Sequence, residues 1–390
     1  MTATIKRDVR TLLYAFAIVA SARSTVAALS SLSRKHPKRP SQRRLLKAWH
    51  DSTTLSLAAF PVALRRVFAV AREKYPDSIG LPALLASPSI LLIPSTWRIH
   101  LALYAATSAL VAVEKPPRLE RALPPVWTLN CIGNAILIML FLTQENSVQE
   151  SYEQIVVNHS SGYIPRGKKK SDILAVLTTT DYPRITREQA REMKAHPLHS
   201  RYVCAALHPD TPSCLENYLA SMVHECSKVW KWMGAAGALA ILYKRRSGVA
   251  SHPYAAFREW FSYTARSTLF AAGSINTAWA LICFWQRVLP GTTAPRLRFL
   301  LNGSLASLWI LVLPPSRRKD ISLYVARLAA LNAYQTVKAK TGLSVPYGEV
   351  LIFAAALTSL IKSHQAGRRV GGLSSLILKG VEMDALQAAS

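Results

Sequence analysis

The chain has 390 residues, half of them hydrophobic and only 18% charged, yet 48 Lys and Arg face 21 Asp and Glu for a formal charge of +27. About 25% charged residues is usual for a soluble domain, so an ordinary soluble globule fits poorly. Nucleic acid fits poorly as a partner too, because the basic residues sit in short clusters between apolar runs and form no continuous polar face.

The combination suits helices in a bilayer, with Lys and Arg at anionic headgroups, where each gains about 1 kcal/mol. Membrane lipid is therefore the expected partner. Five cysteines, an odd number with two of them inside apolar runs, argue against a disulfide framework.

Residues 1–50 carry eleven Lys and Arg against the single acid Asp8. The apolar run from Leu12 to Ala22 is shorter than the roughly 20 residues a span requires. It reads as a basic amphipathic helix, a signal peptide and a mitochondrial presequence being the alternative forms of such a start. The cluster from Ser33 to Lys47 reads as a solvated or headgroup-bound loop.

Residues 51–143 form the first helical repeat. Its opening run, Thr53 to Ala71, is interrupted by Arg65 and Arg66. A charge at mid-membrane costs about 2.5–3.5 kcal/mol, so this helix lies at the interface or turns its arginines to a polar interior. Two apolar helices follow, Leu81 to Ile93 and Trp97 to Val113, broken at Pro94 with Thr96 as the expected cap. A third runs from Thr128 to Thr143. Ala102, Ala105, Ala106 and Ala109 permit close helix packing.

Residues 144–200 are polar, with the basic run Arg166 to Lys170, and read as a linker or insert. Residues 201–385 hold a capped helix and the second repeat. Ser213 and Glu216 make a capping box. The helix they open is amphipathic at first and apolar from Val229 to Tyr243. Further apolar segments span Leu269 to Leu289, Leu297 to Leu313, Ile321 to Val337 and Glu349 to Ile361.

The second repeat echoes the first. Residues 81–110 laid on residues 301–330, without a gap, match at twelve of thirty positions, including Pro94/Pro314, Arg98/Arg318 and Tyr104/Tyr324. Leu and Ala inflate such a match, so its weight rests on the Pro, the Arg and the Leu-Tyr pair. The same offset sets Trp127 against Tyr347 and Leu140 against Leu360. The expected fold is thus all-α: a multi-pass integral membrane helical bundle built from two duplicated halves.

Polar groups inside apolar helices are expensive and face protein or water, which makes Arg65, Arg66, Asn134, Asn276 and Asn302 candidates for a polar pathway. Arg98 and Arg318 read as headgroup anchors. Trp97, Trp127, Trp230, Trp232 and Tyr347, near segment ends, fit an aromatic belt or core packing equally.

His196, His199, Cys204, His208, Cys214, His224 and Cys226 form the one group with metal-ligand chemistry, but their spacing reproduces no paired zinc knuckle. Helix capping and core packing is the favoured reading there, metal binding the alternative. No GxGxxG, P-loop, HExxH or GxSxG occurs. His50-Asp51-Ser52 is an adjacency in sequence, and nucleophile and base need spatial contact.

With HPDTPSC at His208 to Cys214 the chain resembles the transmembrane protein 135 family. The motif residues are His208, Pro209, Thr211, Ser213 and Cys214. RSTLF at Arg266, AWALICFW at Ala278, PPSRRKDISLYVAR at Pro314 and GEVLIFAAAL at Gly348 extend the resemblance to Ile361, with Arg318, Leu323, Tyr324 and Arg327 carrying the second motif. The first half holds no counterpart of HPDTPSC.

The resemblance implies a multi-pass protein of peroxisomal or, as the alternative, mitochondrial membranes. It implies a role in lipid handling and organelle shape, with other organelle membrane proteins as possible partners. No cofactor and no enzymatic chemistry are expected. A transporter or lipid-linked factor is the expected function. A structural organiser that binds partners or curves lipid, and a membrane enzyme built on the Cys/His cluster, are the alternatives. If every apolar segment spans, five separate Leu81 from Leu301 and the repeats are inverted; tags after Val113 and after Val337 are then expected on opposite sides in a protease-protection assay.

Overall fold

The computed structural model describes residues 52–112, 124–144, 147–164, 202–244, 252–289, 295–342 and 345–367. The basic segment 1–50, the run Arg166 to Lys170, His196 and His199 lie outside the described residues. The described residues are helical throughout and contain no strand.

In chain order the elements are α1 (Ser52–Lys74), α2 (Gly80–Ala86), the 3-10 turn η1 (Ser87–Leu92), α3 (Ser95–Ala112), α4 (Thr128–Thr143) and α5 (Glu150–Asn158). After these come α6 (Tyr202–Leu207), α7 (Cys214–Lys244), α8 (Pro253–Val288), α9 (Pro295–Ala306), the 3-10 turn η2 (Ser307–Val312), α10 (Pro315–Thr341) and α11 (Gly348–Gln365).

The helices sort into two compact units, one from residues 1–122 and 344–390, the other from residues 123–343. In the first unit α11 packs along α3 and against α2 and η1, which also rest on α1. Its core joins Phe60, Leu64 and Phe68 of α1 to Ile90 and Ile93, to Ala102, Ala105 and Ala109 of α3, and to Phe353, Leu357 and Leu360 of α11. In the second unit α4 packs along α9 and α10, while α8 lies against α7, α9 and η2. Each sequence repeat therefore finds the partner for its helix pair in the other repeat's last helix.

A break in each helix pair is built the same way. The α-helix tightens to a 3-10 turn that ends on extended Ile93 or Leu313, and the following proline cannot continue it. This leaves carbonyls without helical partners. Arg98 supplies them: its Nε donates to the Ile93 carbonyl at 2.7 Å and a terminal nitrogen to Leu91 at 2.9 Å. Arg318 donates to Leu313 and Leu311, both at 2.7 Å. These arginines thus cap a turn through two of their nitrogens. Thr96 does not act as the cap, since α3 already begins at Ser95.

Burial follows the same register in both pairs. Ala86, Ser87 and Ile90 are buried, as are Ala306, Ser307 and Ile310; Leu81, Leu85 and Leu91 are exposed, as are Leu301, Leu305 and Leu311. Ser87 donates to the Ala83 carbonyl and Ser307 to the Gly303 carbonyl, each at 2.6 Å.

Helix α4 meets α9 backbone to backbone. A Cβ on Gly303 would lie 2.3 Å from the Asn134 carbonyl oxygen and 2.6 Å from Ala135 Cα. A Cβ on Gly133 would sit 2.8 Å from a Val325 methyl on α10. At the corresponding positions of the first unit stand Phe353 and Ala105, both in its core, so small and large have changed places. Gly342, at φ +69°, closes α10 in the left-handed conformation, its N–H donating to Lys338. Gly303→Val is expected to cost about 1–3 kcal/mol by forcing α4 and α9 apart, read as a lower midpoint in thermal unfolding of the detergent-solubilised chain.

Candidate functional site

The polar residues singled out in the apolar helices fall in both units. Arg65 is buried in α1, with Arg66 half-buried beside it. Asn134, Asn276 and Asn302 belong to the second unit, where each makes a specific bond. Asn134 donates to the Asn130 side-chain oxygen at 3.3 Å, and Asn130 donates to the Ser307 carbonyl at 3.3 Å. Ser221 donates to Asn276, which itself donates to the Ala272 carbonyl at 2.8 Å. Trp285 donates its indole N–H to Asn302 at 2.5 Å.

These bonds tie α4 to η2, α7 to α8, and α8 to α9. A small cavity of about 60 Å³ lies beside them, lined by Asn134, Phe141, Trp279 and Ser307 among others; it has room for a few waters at most.

Two fully buried asparagines escaped the sequence reading. Asn130 joins the network above. Asn332 on α10 accepts from the Gln149 N–H at 2.7 Å and donates to the Leu328 carbonyl at 2.7 Å, fixing the entry to α5. Their signal was available: an amide in an otherwise apolar helical stripe.

The segment read as a polar linker also packs. Val148, Val156, Tyr163 and Ile164 are buried, and Tyr163 stacks on Trp279 at 6.1 Å between ring centres. Gly162 sits so close to α7 that a Cβ there would meet Ser221 at 2.3 Å. Asn217, Ser221 and Glu225, at helical spacing on α7, face this segment. Asn217 donates to the Gly162 carbonyl at 3.1 Å. Glu225 is buried and accepts from Ser161 at 2.6 Å and from Lys228 at 3.0 Å, and it pairs with His159 at 3.0 Å.

The remaining candidates converge at the start of α7. The chain leaves α6 at His208, whose backbone N–H donates to the Cys204 carbonyl at 2.9 Å. It turns through Pro209 and enters α7 under Ser213, whose hydroxyl accepts the Glu216 N–H at 3.4 Å. The expected cap is thus in place. The His208 ring nitrogen Nδ1 lies 2.9 Å from the Thr211 carbonyl, an acceptor only, so Nδ1 carries the proton and Nε2 points away from the turn.

Nε2 lies 3.5 Å from the sulfur of Cys283 on α8, and the sulfurs of Cys204 and Cys214 are 3.8 Å apart. All four donor atoms lie within 4.8 Å of one another. Arg287, one turn beyond Cys283, donates to the Cys214 sulfur at 3.4 Å. Cys204, His208 and Cys283 are buried and Cys214 is half-buried. His224 is exposed and Cys226 half-buried, and neither belongs to this group.

All five cysteines are free thiols. Hydrogen bonding to Cys283, against the opposing effect of burial, draws the Cys204 and Cys214 thiols below their ordinary range. Burial would lower His208, but bonds to Cys204 and the Thr211 carbonyl outweigh it and raise the imidazole, so in the metal-free group Nε2 holds a proton that a metal ion would displace. Three sulfurs and an imidazole nitrogen in one buried group suit metal ligation; they have little access for attack on a substrate.

Sequence reasoning had placed Cys204, His208 and Cys214 together and had no means of adding Cys283, 75 residues beyond His208. In the second motif, Leu323 is buried, Tyr324 is exposed, and Arg327 donates to the Leu323 carbonyl at 3.0 Å. No family model, curated protein or solved structure matches the chain.

Burial raises the carboxyl of Glu225, but bonds from His159, Ser161 and Lys228 outweigh it and hold the group near 2, below its ordinary 4.5. A depressed carboxylate contributes stability that is present above the unfolded value and lost as pH falls from about 4.5 towards 2, here on the order of 2–3 kcal/mol. Glu225→Gln is expected to lower the unfolding midpoint at neutral pH and to flatten its fall in that acid window, followed by Trp fluorescence in detergent.

Proposed function

We propose that the chain is a multi-pass organelle membrane protein, a transporter or lipid-linked membrane factor of peroxisomes or, as the alternative, of mitochondria, with no chemistry of its own. The observation that carries this reading is the distribution of side chains on the helices. Ser87, Asn130, Thr264, Asn276, Asn302, Ser307 and Asn332 are buried, whereas Leu55, Val70, Leu239, Phe261, Leu311 and Leu351 are exposed.

A soluble helix bundle gains by burying its large apolar groups. In lipid that gain is absent, and helices associate through small residues and interhelical hydrogen bonds. The backbone contacts at Gly133 and Gly303 and the asparagine bonds between helices are of that kind.

Among the described residues two helices, Thr54–Lys74 and Pro253–Val288, are long and apolar enough to cross a membrane by length and composition. Trp97 and Tyr347 are exposed near helix starts, where they suit the interfacial belt. The choice of organelle rests on the resemblance of HPDTPSC and the second motif to the transmembrane protein 135 family.

The two halves are, on this reading, copies of one ancestral unit. The matched 3-10 turns, the paired Arg98 and Arg318 clamps and the shared burial register support it. The tagged chain is expected in the alkaline-carbonate-resistant membrane fraction, coincident with peroxisomal markers. Reconstituted in vesicles, it is expected to speed the exchange of a labelled fatty acyl lipid at least several-fold over empty vesicles. Recovery in the soluble fraction would refute membrane residence. A membrane-resident chain without flux would leave the organiser reading.

A further inference from the structure

We propose that Cys204, His208, Cys214 and Cys283 bind one zinc ion, in a closed Cys3His site that fastens the turn before α7 to the last turns of α8. Tetrahedral zinc with Zn–S bonds of about 2.3 Å and a Zn–N bond of about 2.0 Å sets edges of about 3.8 Å between sulfurs and about 3.5 Å between sulfur and nitrogen. The Cys204 and Cys214 sulfurs are 3.8 Å apart, and Cys283 Sγ is 3.5 Å from His208 Nε2. The remaining pairs fall within 4.8 Å.

The surroundings are those of a ligand set. The Thr211 carbonyl accepts the Nδ1 proton of His208 and leaves Nε2, once its proton is displaced, with its lone pair towards the sulfurs, the outer-shell bond that orients metal-binding histidines. Three thiolates and a neutral imidazole around a divalent ion leave one net negative charge, and the Arg287 guanidinium lies on the Cys214 sulfur to balance it. Sulfur-rich tetrahedral sets select zinc over the oxygen-seeking divalent ions.

Four protein donors leave no open position for water or substrate, so the site is structural. The short turn of HPDTPSC then has one purpose: it holds an imidazole and a thiolate on either side of a helix cap, with Cys204 one turn upstream.

The full-length chain, purified in detergent with a phosphine reductant, is expected to carry about one zinc per molecule by plasma mass spectrometry. Replacement by cobalt(II) is expected to give a thiolate charge-transfer band in the near ultraviolet and tetrahedral absorption in the red. Cys204→Ser with Cys283→Ser should reduce the metal to background, while His208→Cys, which restores a fourth ligand, and Cys226→Ser should retain it.

A helical wild-type chain free of metal after growth in zinc would overturn the proposal, as would zinc content unchanged in the double variant. Recovery of a Cys204–Cys214 disulfide in place of the ion would overturn it as well. The wild-type metal content and cobalt spectrum decide by themselves should a variant fail to fold, and no readout depends on the organelle or the cargo.

Discussion

Backbone meeting backbone at small residues is the constraint on which the second unit depends. Gly303 leaves no space for a side chain beside Asn134 and Ala135, and Gly133 leaves little beside Val325. Once helices approach this closely, amides and hydroxyls reach partners on the next helix, as in Asn130 to the Ser307 carbonyl and Ser221 to Asn276. Each such bond is worth only about 1 kcal/mol net, but a buried amide without a partner would cost more than that. The close crossings and the polar interior thus require each other.

The same geometry is solved with different residues in the first unit. Phe353 stands where the second unit has Gly133, and Ala105 where it has Val325. The larger residue of the pair thus sits on α11 in the first unit and on α10 in the second. What stays fixed is the turn: Pro94 and Pro314 end a 3-10 segment, and Arg98 and Arg318 satisfy its carbonyls. Only an arginine has a planar fork able to reach two carbonyls at once from one side chain. That requirement gives a physical reason for the Pro and Arg to keep their spacing while the surrounding residues differ.

The region between the repeats does more than link them. The stripe Asn217, Ser221 and Glu225 on α7 receives Ser161, Gly162 and His159, and Trp279 donates to Ser160 at 2.7 Å. This polar seam and the thiol–imidazole group lie on the same helix, α7, and hold successive parts of it against the segments that precede it and against α8. In the first half of α7 the buried positions Asn217, Ser221 and Glu225 are polar, and hydrogen bonds hold that stretch in place.

Much of this was legible from the chain itself. The helical class, the helix breaks at Pro94 and Pro314, the cap at Ser213 and the paired turns are local: each is decided by dihedral limits and by hydrogen-bonding groups within a few residues. The tertiary structure alone decided which helix completes which bundle, so that α4 lies with α9 and α10 and α11 with α3. It also decided that Asn130 and Asn332 are buried and that Cys283 joins a histidine 75 residues away. Pairing between distant segments is set by complementary volume and by the partners buried polar groups find, and neither is encoded in the spacing of any one stretch.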